Sequence, residues 1–456
     1  MSRIVWIAIA VFVPVLTGYA QTLNELQAKE DLQQLKDNLE RFHPGFLRYT
    51  TADSMSYYYS QSLDEINGEI STADLFKKVT FLLNKVRCGH TRASMPEAAN
   101  EAFKEGRLFL PLSVKYLGNA LYIDDFRSND ARLQRGERIL SINGQSIEEI
   151  TRQIFQHHSS DGFIDRGKYR LTERYFRYYY QLYVSPKAER YTLQLQASNG
   201  NTREVTLTGE SYESLKSLDR PIPDRNVLEL DHRDGYSYIK IGSFVGFYLS
   251  RAGYDYKEFL EESFQELKEK GVDNLVLDLR GNGGGTDNYG ALLVSYFADK
   301  PFGYFDRIEV TDDYSGSGKV AREEGRNLMK SHKGLNTWQP QANRFEGKVY
   351  VLTDGWSFST CADVATVLHH NGWATFVGEE TGGGYDGNTS GYSRTTTLEH
   401  SGISFNLPMW MYTTANVGHD FYGRGVIPDY KVQQTPNEFV SGEDAVMKKA
   451  LELIER

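Results

Sequence analysis

Residues 349–391, VYVLTDGWSFSTCADVATVLHHNGWATFVGEETGGGYDGNTSG, decide the fold of this chain. The first five residues are apolar or β-branched, which is typical of a buried strand. Asp354 and Gly355 interrupt that run, and an amphipathic stretch begins after the serine-rich segment that follows. A serine at the start of a helix has backbone N–H groups around it that can stabilise a developing oxyanion. The pattern predicts a strand, a turn that offers hydroxyls, and a helix, and the serine is either a helix cap or a nucleophile.

A second unit of strand and turn lies upstream. Residues 274–280, NLVLDLR, form another apolar run, and GNGGG follows directly. The two units together resemble the C-terminal processing (tail-specific) peptidase family, in which a D-L-R-x-N-x-G-G turn lies beside an S-x-S-x-x-E-like turn. The resemblance implies a serine peptidase with Ser359, the second serine of the pair, as nucleophile. The glutamate of the family pattern is Ala362 here, with Asp363 next to it.

The general base of this chain differs from that of many family members. Those members use a lysine in a G-E-x-T-x-G-K motif, whereas this chain reads GEETGGG with Gly384 at the lysine position. The sequence has no lysine between Lys348 and Lys431, so another base is required. The tricorn-like branch of the family uses a histidine in a D-G-H-x pattern, and the resemblance implies His90 here, with His419 as the rival. Histidine has the near-neutral pKa that a general base needs.

The third catalytic group and the oxyanion hole are expected near these residues. In the tricorn-like branch a glutamate before a G-V-x-P-D turn orients the histidine, and Tyr422 stands at that position here. Asp420, the Tyr422 hydroxyl and a backbone carbonyl are the alternatives. For the oxyanion hole we expect the N–H groups of Thr360 and Gly284, because glycine lets the backbone approach a substrate closely. A phosphate loop is the other interpretation of the glycine turn, but the G-K-[ST] ending is absent.

The N-terminus predicts export. A short polar start, an apolar run and a small-x-small site indicate a signal peptide over residues 1–20. That run is too short for a comfortable membrane span, and no other long apolar stretch follows. We therefore expect a periplasmic or extracellular protein with no stable membrane insertion. The net charge of −10, without a basic block, argues against nucleic acid as a partner.

Three regions follow the signal peptide. Residues 21–105 have apolar positions at helical spacing and predict an N-terminal helical region. Residues 106–210 alternate as strands do and contain LQRGERILSING, which resembles the L-x-x-G-D-x-I-L-x-I-N-G signature of a PDZ domain, with a helical insertion after it. Residues 225–456 alternate strands with helices, the pattern of an α/β core. The fold class is therefore α/β, and the peptidase resemblance implies a crotonase-like ββα spiral core.

The two cysteines of the chain lie close in sequence to the predicted catalytic residues. Cys88 stands two residues before His90, and Cys361 stands two residues after Ser359. In an oxidising compartment they could form a disulfide that holds the base against the nucleophile. The alternative is two buried free thiols, since free cysteine is among the most buried residue types. No Cys/His pattern with zinc spacing occurs, so the sequence indicates neither a metal nor another cofactor.

The sequence therefore predicts an exported serine endopeptidase that cleaves peptide or protein substrates through an acyl-enzyme, with Ser359 as nucleophile and His90 as base. Two other functions stay open. One is a non-catalytic protein on the same scaffold that binds a ligand or peptide, as retinoid-binding relatives do. The other is a peptide-binding PDZ adaptor whose α/β part is structural. The oligomeric state is not predicted.

Overall fold

The computed structural model describes residues 22–126, 132–218, 227–418 and 421–456. This part of the chain has the mixed α/β architecture that the sequence predicts. Within it, no helix is both long enough and apolar enough to cross a membrane. The predicted signal peptide lies outside the described residues.

A six-stranded central sheet organises the C-terminal half of the chain. Its first two strands pair antiparallel, and all later neighbours pair parallel. The strands in spatial order are Leu228–Arg233, Tyr236–Ile241, Asn274–Asp278, Lys348–Thr353, Thr375–Gly378 and Tyr430–Lys431. The third and fourth strands are almost wholly buried, as parallel strands are when helices cover both faces. The helices of this half are Gly246–Arg251, Tyr256–Glu269, Asp287–Ser295, Thr360–His370, Pro436–Ser441 and Ala445–Ile454.

A second large sheet is antiparallel and lies beside the core. Its strands in spatial order are Val320–Glu323, Arg326–Met329, Phe305–Val310, Ser404–Thr414 and Thr389–Thr397. The short strand Ala93–Ser94 also pairs with Ser404–Thr414. Because Ala93 follows His90 closely in sequence, this pairing fixes the His90 segment to the core. Three two-stranded sheets complete the strands: Thr22–Leu23 with Ile70–Ser71, Leu108–Phe109 with Glu210–Ser211, and Phe302–Gly303 with Thr337–Trp338.

The N-terminal region is helical, as its apolar spacing predicts. Its helices are Glu25–Phe42, Ala52–Asp64, Thr72–Val86 and Glu97–Lys104. Leu32, Leu35 and Leu39 lie on one buried face of the first helix, which begins with a capping box between Asn24 and Gln27. The third helix ends at Val86, and its C-cap residue Arg87, whose φ of 57° is left-handed, turns the chain toward the core.

Residues 112–208 form a unit that we call the β module. Its main strands in spatial order are Thr202–Thr208, Arg190–Gln196, Arg138–Ile142, Ala120–Phe126 and Leu112–Leu117, with Gln145–Ser146 paired to the third. Between them lie the α-helices Ile147–Phe155 and Arg166–Tyr179 and the π-helical turn Tyr180–Val184. The last main strand, Leu112–Leu117, is therefore an edge strand, and the helix Arg166–Tyr179 packs beside it.

An ion-pair network joins the β module to the central sheet. Arg170 lies on the module helix, and its guanidinium is 2.5 Å from Glu379 Oε1 and 2.7 Å from Glu173 Oε1. All three side chains are at most 16% exposed. Burial alone would lower the pKa of Arg170, but the ion pairs with Glu173 and Glu379 raise it. The guanidinium therefore compensates two carboxylates that are largely removed from water.

We predict that Arg170→Met lowers the free energy of unfolding by about 3 kcal/mol, because both glutamates lose a buried counter-charge. Urea unfolding at pH 7 measures the change. The control is Arg322→Met, since Arg322 pairs with Asp312 at 2.7 Å but the two side chains are 62% and 76% exposed. We expect that variant to change the free energy by at most about 0.5 kcal/mol. Equal unfolding midpoints for the two variants would contradict the assignment.

Candidate active site

Two turns meet at the carboxyl edge of the central sheet. The strands Asn274–Asp278 and Lys348–Thr353 are parallel neighbours, so their carboxyl ends lie side by side. Residues 281–285, which we call the glycine turn, follow the first strand, and residues 354–359, which we call the serine turn, follow the second. In open sheets of this kind, sites form outside the carboxyl ends of the strands.

Hydrogen bonds hold the two turns against each other. The Phe358 N–H donates to Asn282 O at 3.1 Å, and the Gly281 N–H donates to Asp354 Oδ1 at 3.0 Å. The Asn282 side-chain amide donates to Ile241 O at 2.9 Å, which anchors the glycine turn to the next strand. These hydrogen bonds set the position of the glycine turn relative to the serine turn.

The two serines of the serine turn have different environments. Ser357 is fully buried, donates to Leu279 O at 3.0 Å and accepts from the Asp354 N–H at 3.2 Å. Ser359 is partly exposed and lines a cleft of about 1080 Å³. Its φ of 56° and ψ of −134° are strained for a residue with a side chain. Such strain presents a nucleophile at the start of a helix, here Thr360–His370.

The predicted oxyanion donors lie next to this serine. A Cβ at Gly284 would be 2.7 Å from Ser359 Cβ and 2.9 Å from Thr360 N, so the glycine turn touches the nucleophile. The Thr360 N–H has no acceptor among the described residues. The Gly284 N–H, however, donates to Asn282 Oδ1 at 2.8 Å, which does not favour it as an oxyanion donor. The Gly285 N–H, which follows it and has no acceptor in the described part of the chain, is the alternative.

The segment after helix Thr72–Val86 brings His90 to the same cleft. The imidazole stacks on the ring of Phe358, with the centroids 4.5 Å apart and the planes at 28°. Phe358 immediately precedes Ser359, so this contact holds the predicted base beside the nucleophile. No hydrogen bond joins Ser359 Oγ to His90 in the described structure, and such bonds often tighten only when substrate is bound.

His90 is neutral at physiological pH. Burial, together with the nearby Arg92 charge and the neighbouring His43, lowers the pKa of His90 to about 3. Burial also lowers the pKa of His43 to about 4, and His43 Nε2 is 2.9 Å from Thr91 Oγ1. A neutral imidazole has a free lone pair, so His90 is in the form that can accept a proton.

Of the two side chains predicted to orient His90, the structure describes Tyr422 and not Asp420. Asp420 and the rival base His419 lie outside the described residues. Tyr422 is 46% exposed, and its hydroxyl donates to Arg48 O. Since that hydroxyl is engaged elsewhere, Tyr422 does not orient the base in this structure.

Asp161 lies next to the His90 segment, and no sequence motif indicates it. This aspartate belongs to a loop of the β module, is 2% exposed, and its Oδ1 accepts from the Gly89 N–H at 2.7 Å. Burial raises the pKa of Asp161 to about 6. The surrounding HHSSDG is an ordinary turn sequence, so only the fold shows that this carboxyl faces the cleft residues.

Lys168 is likewise not indicated by any motif, because it stands far from Ser359 in the chain and reaches it only through the fold. Lys168 lies on the helix Arg166–Tyr179 and lines the same cleft as Ser359. Its ammonium is 3.5 Å from Asp165 Oδ1, and burial lowers its pKa. A lysine is therefore present in the cleft as a rival to His90.

Of the two alternatives for the cysteines, the structure shows the free thiols, and Cys88 and Cys361 are both buried. The Cys88 thiol donates to Thr389 O at 3.2 Å, and the Cys361 thiol donates to Leu279 O at 3.7 Å. Each thiol therefore has its own carbonyl partner, and the second cysteine simply continues the buried helix.

Cys88, His90 and Asp161 each offer one possible metal ligand, and these three atoms lie within 4.8 Å of one another. Metal ligation requires the thiolate form. Burial raises the pKa of Cys88 to about 12, which strongly opposes that form. The donor set therefore does not favour a metal ion.

The fold and the site together define a serine peptidase. Residues 235–432, which include both turns, match the family described as Peptidase family S41. Among solved structures, the chain is similar to mature CPAF with a TM-score of 0.66 and 14% identity, covering 94% of this chain and 96% of that one. Mature CPAF complexed with lactacystin gives a TM-score of 0.65 and 14% identity, covering 94% and 99%. At this identity the likeness shows the fold, and the family match over residues 235–432 supports a serine peptidase.

We predict that Gly284→Ala lowers kcat/KM by about 10²-fold or more, because the new Cβ displaces the nucleophile turn. The control is Gly281→Ala in the same turn. Gly281 also has a positive φ, 77°, but a Cβ there meets nothing within 4 Å. Both variants carry backbone strain, and urea unfolding measures its effect on stability. Hydrolysis of a fluorogenic peptide measures the additional loss of activity that steric displacement of the nucleophile causes in Gly284→Ala. Equal activities of the two variants would show that Gly284 does not touch the reacting groups.

Proposed function

We propose that this protein is an exported serine endopeptidase that cleaves peptide bonds in peptide or protein substrates through an acyl-enzyme. The observation that carries the proposal is the position of Ser359, which has a strained backbone at the start of a buried helix and lines the cleft together with His90. The apolar sequence of residues 1–20 supports export to the periplasm or beyond.

The reaction begins with proton transfer from Ser359 Oγ to neutral His90. The oxygen forms a bond to the substrate carbonyl carbon, and the resulting oxyanion accepts from the Thr360 N–H and from an N–H of the glycine turn. Collapse of this intermediate breaks the C–N bond, and His90 returns the proton to the leaving amine. Water, activated by the same histidine, then hydrolyses the ester on Ser359.

The cleft supports cleavage within a chain rather than at its end. It is an open space of about 1080 Å³ lined by the glycine turn, the serine turn and residues of the β module. Tyr248, which is 51% exposed, stands at its rim beside Phe247, which is 71% exposed. Exposed aromatic side chains next to a cleft provide apolar contacts for substrate side chains.

We assign the core to a crotonase-like spiral in the tricorn-like branch and the β module to a PDZ-like domain. Gly384 at the lysine position supports the branch, since histidine then supplies the base. The edge strand Leu112–Leu117 beside the helix Arg166–Tyr179 supports the PDZ-like assignment, because peptides add to such edges. In this structure Glu173 Oε1 accepts from the Tyr116 N–H at 2.9 Å, so the module's own helix occupies one donor of that edge.

The first test compares the two serines. We expect Ser359→Ala to abolish hydrolysis of a fluorogenic peptide, because no other hydroxyl occupies the strained position. Ser357→Ala should keep substantial activity and lose about 1 kcal/mol of stability, since Ser357 only bonds the two turns. Activity in Ser359→Ala with none in Ser357→Ala would reverse the assignment. Wild-type protein that binds peptide without cleaving it would favour the non-catalytic alternative.

The second test identifies the base. We expect His90→Ala to lower kcat about 10⁴-fold, as loss of a general base does, while circular dichroism stays unchanged. Lys168→Met tests the rival in the same assay. An inactive Lys168→Met together with an active His90→Ala would transfer the role to the lysine.

A further inference from the structure

Two buried polar atoms near the nucleophile lack hydrogen-bond partners among the described residues. They are Nδ1 of His90 and Oδ2 of Asp161. An unpaired polar atom in the interior is costly, and one ligating atom each of His90, Asp161 and Cys88 lies within 4.8 Å of the others. The ring nitrogen can donate and the carboxylate oxygen can accept, so each is the complementary partner of the other.

The orientation of the imidazole agrees with this pairing. Nδ1 is the buried edge of the His90 ring, whereas the residue as a whole is partly exposed and lines the cleft. The stack on Phe358 keeps the ring plane fixed. The outer nitrogen, Nε2, is therefore the one available to Ser359, and the inner nitrogen faces the protein interior.

We propose that Asp161 is the positioning residue for His90. Its carboxylate accepts the Nδ1 proton, which fixes the tautomer whose Nε2 takes the proton of Ser359. The same carboxylate stabilises the imidazolium that forms during the reaction, and the Nδ1 proton stays on the ring throughout. This inference rests on the proposed function and adds to it the group that completes the triad.

The loop that carries Asp161 is held rigidly against the segment that carries His90. Asp161 Oδ1 accepts from the Gly89 N–H at 2.7 Å, and the Gly162 N–H donates to Arg87 O at 3.0 Å. These contacts fix the side chain of Asp161 and the backbone of the residue that follows it. A positioning residue must be fixed in this way if it is to hold the ring within a productive geometry.

The charges around the pair favour an ionised aspartate beside a neutral histidine near neutral pH. Burial raises the pKa of Asp161 to about 6, and the Gly89 N–H and the Arg48 charge limit the rise. Since the pKa of His90 is about 3, the imidazole is already neutral when the carboxyl of Asp161 loses its proton near pH 6, and the ring keeps its Nδ1 proton. The titratable and charged groups that face the pair are Arg48, Arg92, His43, Tyr49, Cys88 and Asp363.

Gly384, which stands where many family members have a lysine, lies next to Asp161. A Cβ at this position would be 2.6 Å from Gly387 O, which is too close, and 3.8 Å from Asp161 Cβ, which is ordinary contact. The close approach to Gly387 O therefore requires a glycine at position 384, and a side chain there would start in contact with Asp161.

Asp161→Asn tests the proposal directly. The substitution keeps an oxygen for the Gly89 N–H but places an amide N–H₂ at the inner nitrogen of His90, which forces the proton onto Nε2 and blocks the base. We expect kcat to fall about 10³- to 10⁴-fold while KM changes by less than about threefold. Wild-type kcat/KM should rise with pH through about 6, because Asp161 must lose its proton. The variant should lack this rise.

Asp31→Asn is the matched control. Asp31 is also buried, and its carboxylate accepts from the backbone N–H groups of His400 at 2.9 Å and Ser401 at 2.8 Å. We expect the kcat of this variant to stay within about threefold of wild type and its pH profile to keep the rise near 6, because Asp31 is not among the groups that face His90 and Asp161.

The outcomes separate this inference from the proposed function. Wild-type kcat and an unchanged pH profile in Asp161→Asn, with Ser359→Ala inactive, would overturn the role of Asp161 and leave the peptidase intact. Full activity in Ser359→Ala would overturn the proposed function itself. If Asp161→Asn does not fold, the wild-type profile decides: a rise near pH 6 supports the pair, and a flat profile from pH 5 to 8 overturns it.

Discussion

Parallel pairing of the strands Asn274–Asp278 and Lys348–Thr353 is the constraint on which the site depends. It places the carboxyl ends of the strands side by side. The glycine turn and the serine turn follow these strands closely, so they lie next to each other. The bond from the Phe358 N–H to Asn282 O then fixes the approach of the turns. The strained backbone of Ser359 is maintained because the strand before it and the helix after it are both buried.

The local parts of this arrangement could be predicted from the sequence. The run before Asp354 is apolar and β-branched, so it is a strand, and the glycines after Arg280 mark a turn. The alignment with the family motif assigns the nucleophile to Ser359 rather than Ser357. In the structure Ser357 is buried. The family pattern predicted His90 as the base, whereas its stacking on Phe358 is a tertiary contact that no local signal indicates.

The remaining parts depend on tertiary contacts that leave no pattern in the sequence. Asp161 stands 72 positions after Gly89, to which it is bonded, and its own segment indicates only a turn. The hydrogen bond from the Gly284 N–H to Asn282 Oδ1 depends on the conformation of the Asn282 side chain. The spacing of residues in the sequence does not reveal that conformation. The cysteines lie near the catalytic residues in sequence, but their thiols bond to different carbonyls. Proximity in sequence to one site therefore did not imply a covalent bond.

Site mapping with a fluorophosphonate tests the central claim, that Ser359 is a nucleophile activated by His90. The wild-type protein is labelled at pH 8, digested, and analysed by mass spectrometry. Our account predicts a single adduct on Ser359, formed at least about 10³-fold more slowly when His90 is replaced by alanine. An adduct on another serine, or labelling of Ser359 at an unchanged rate without His90, would contradict it.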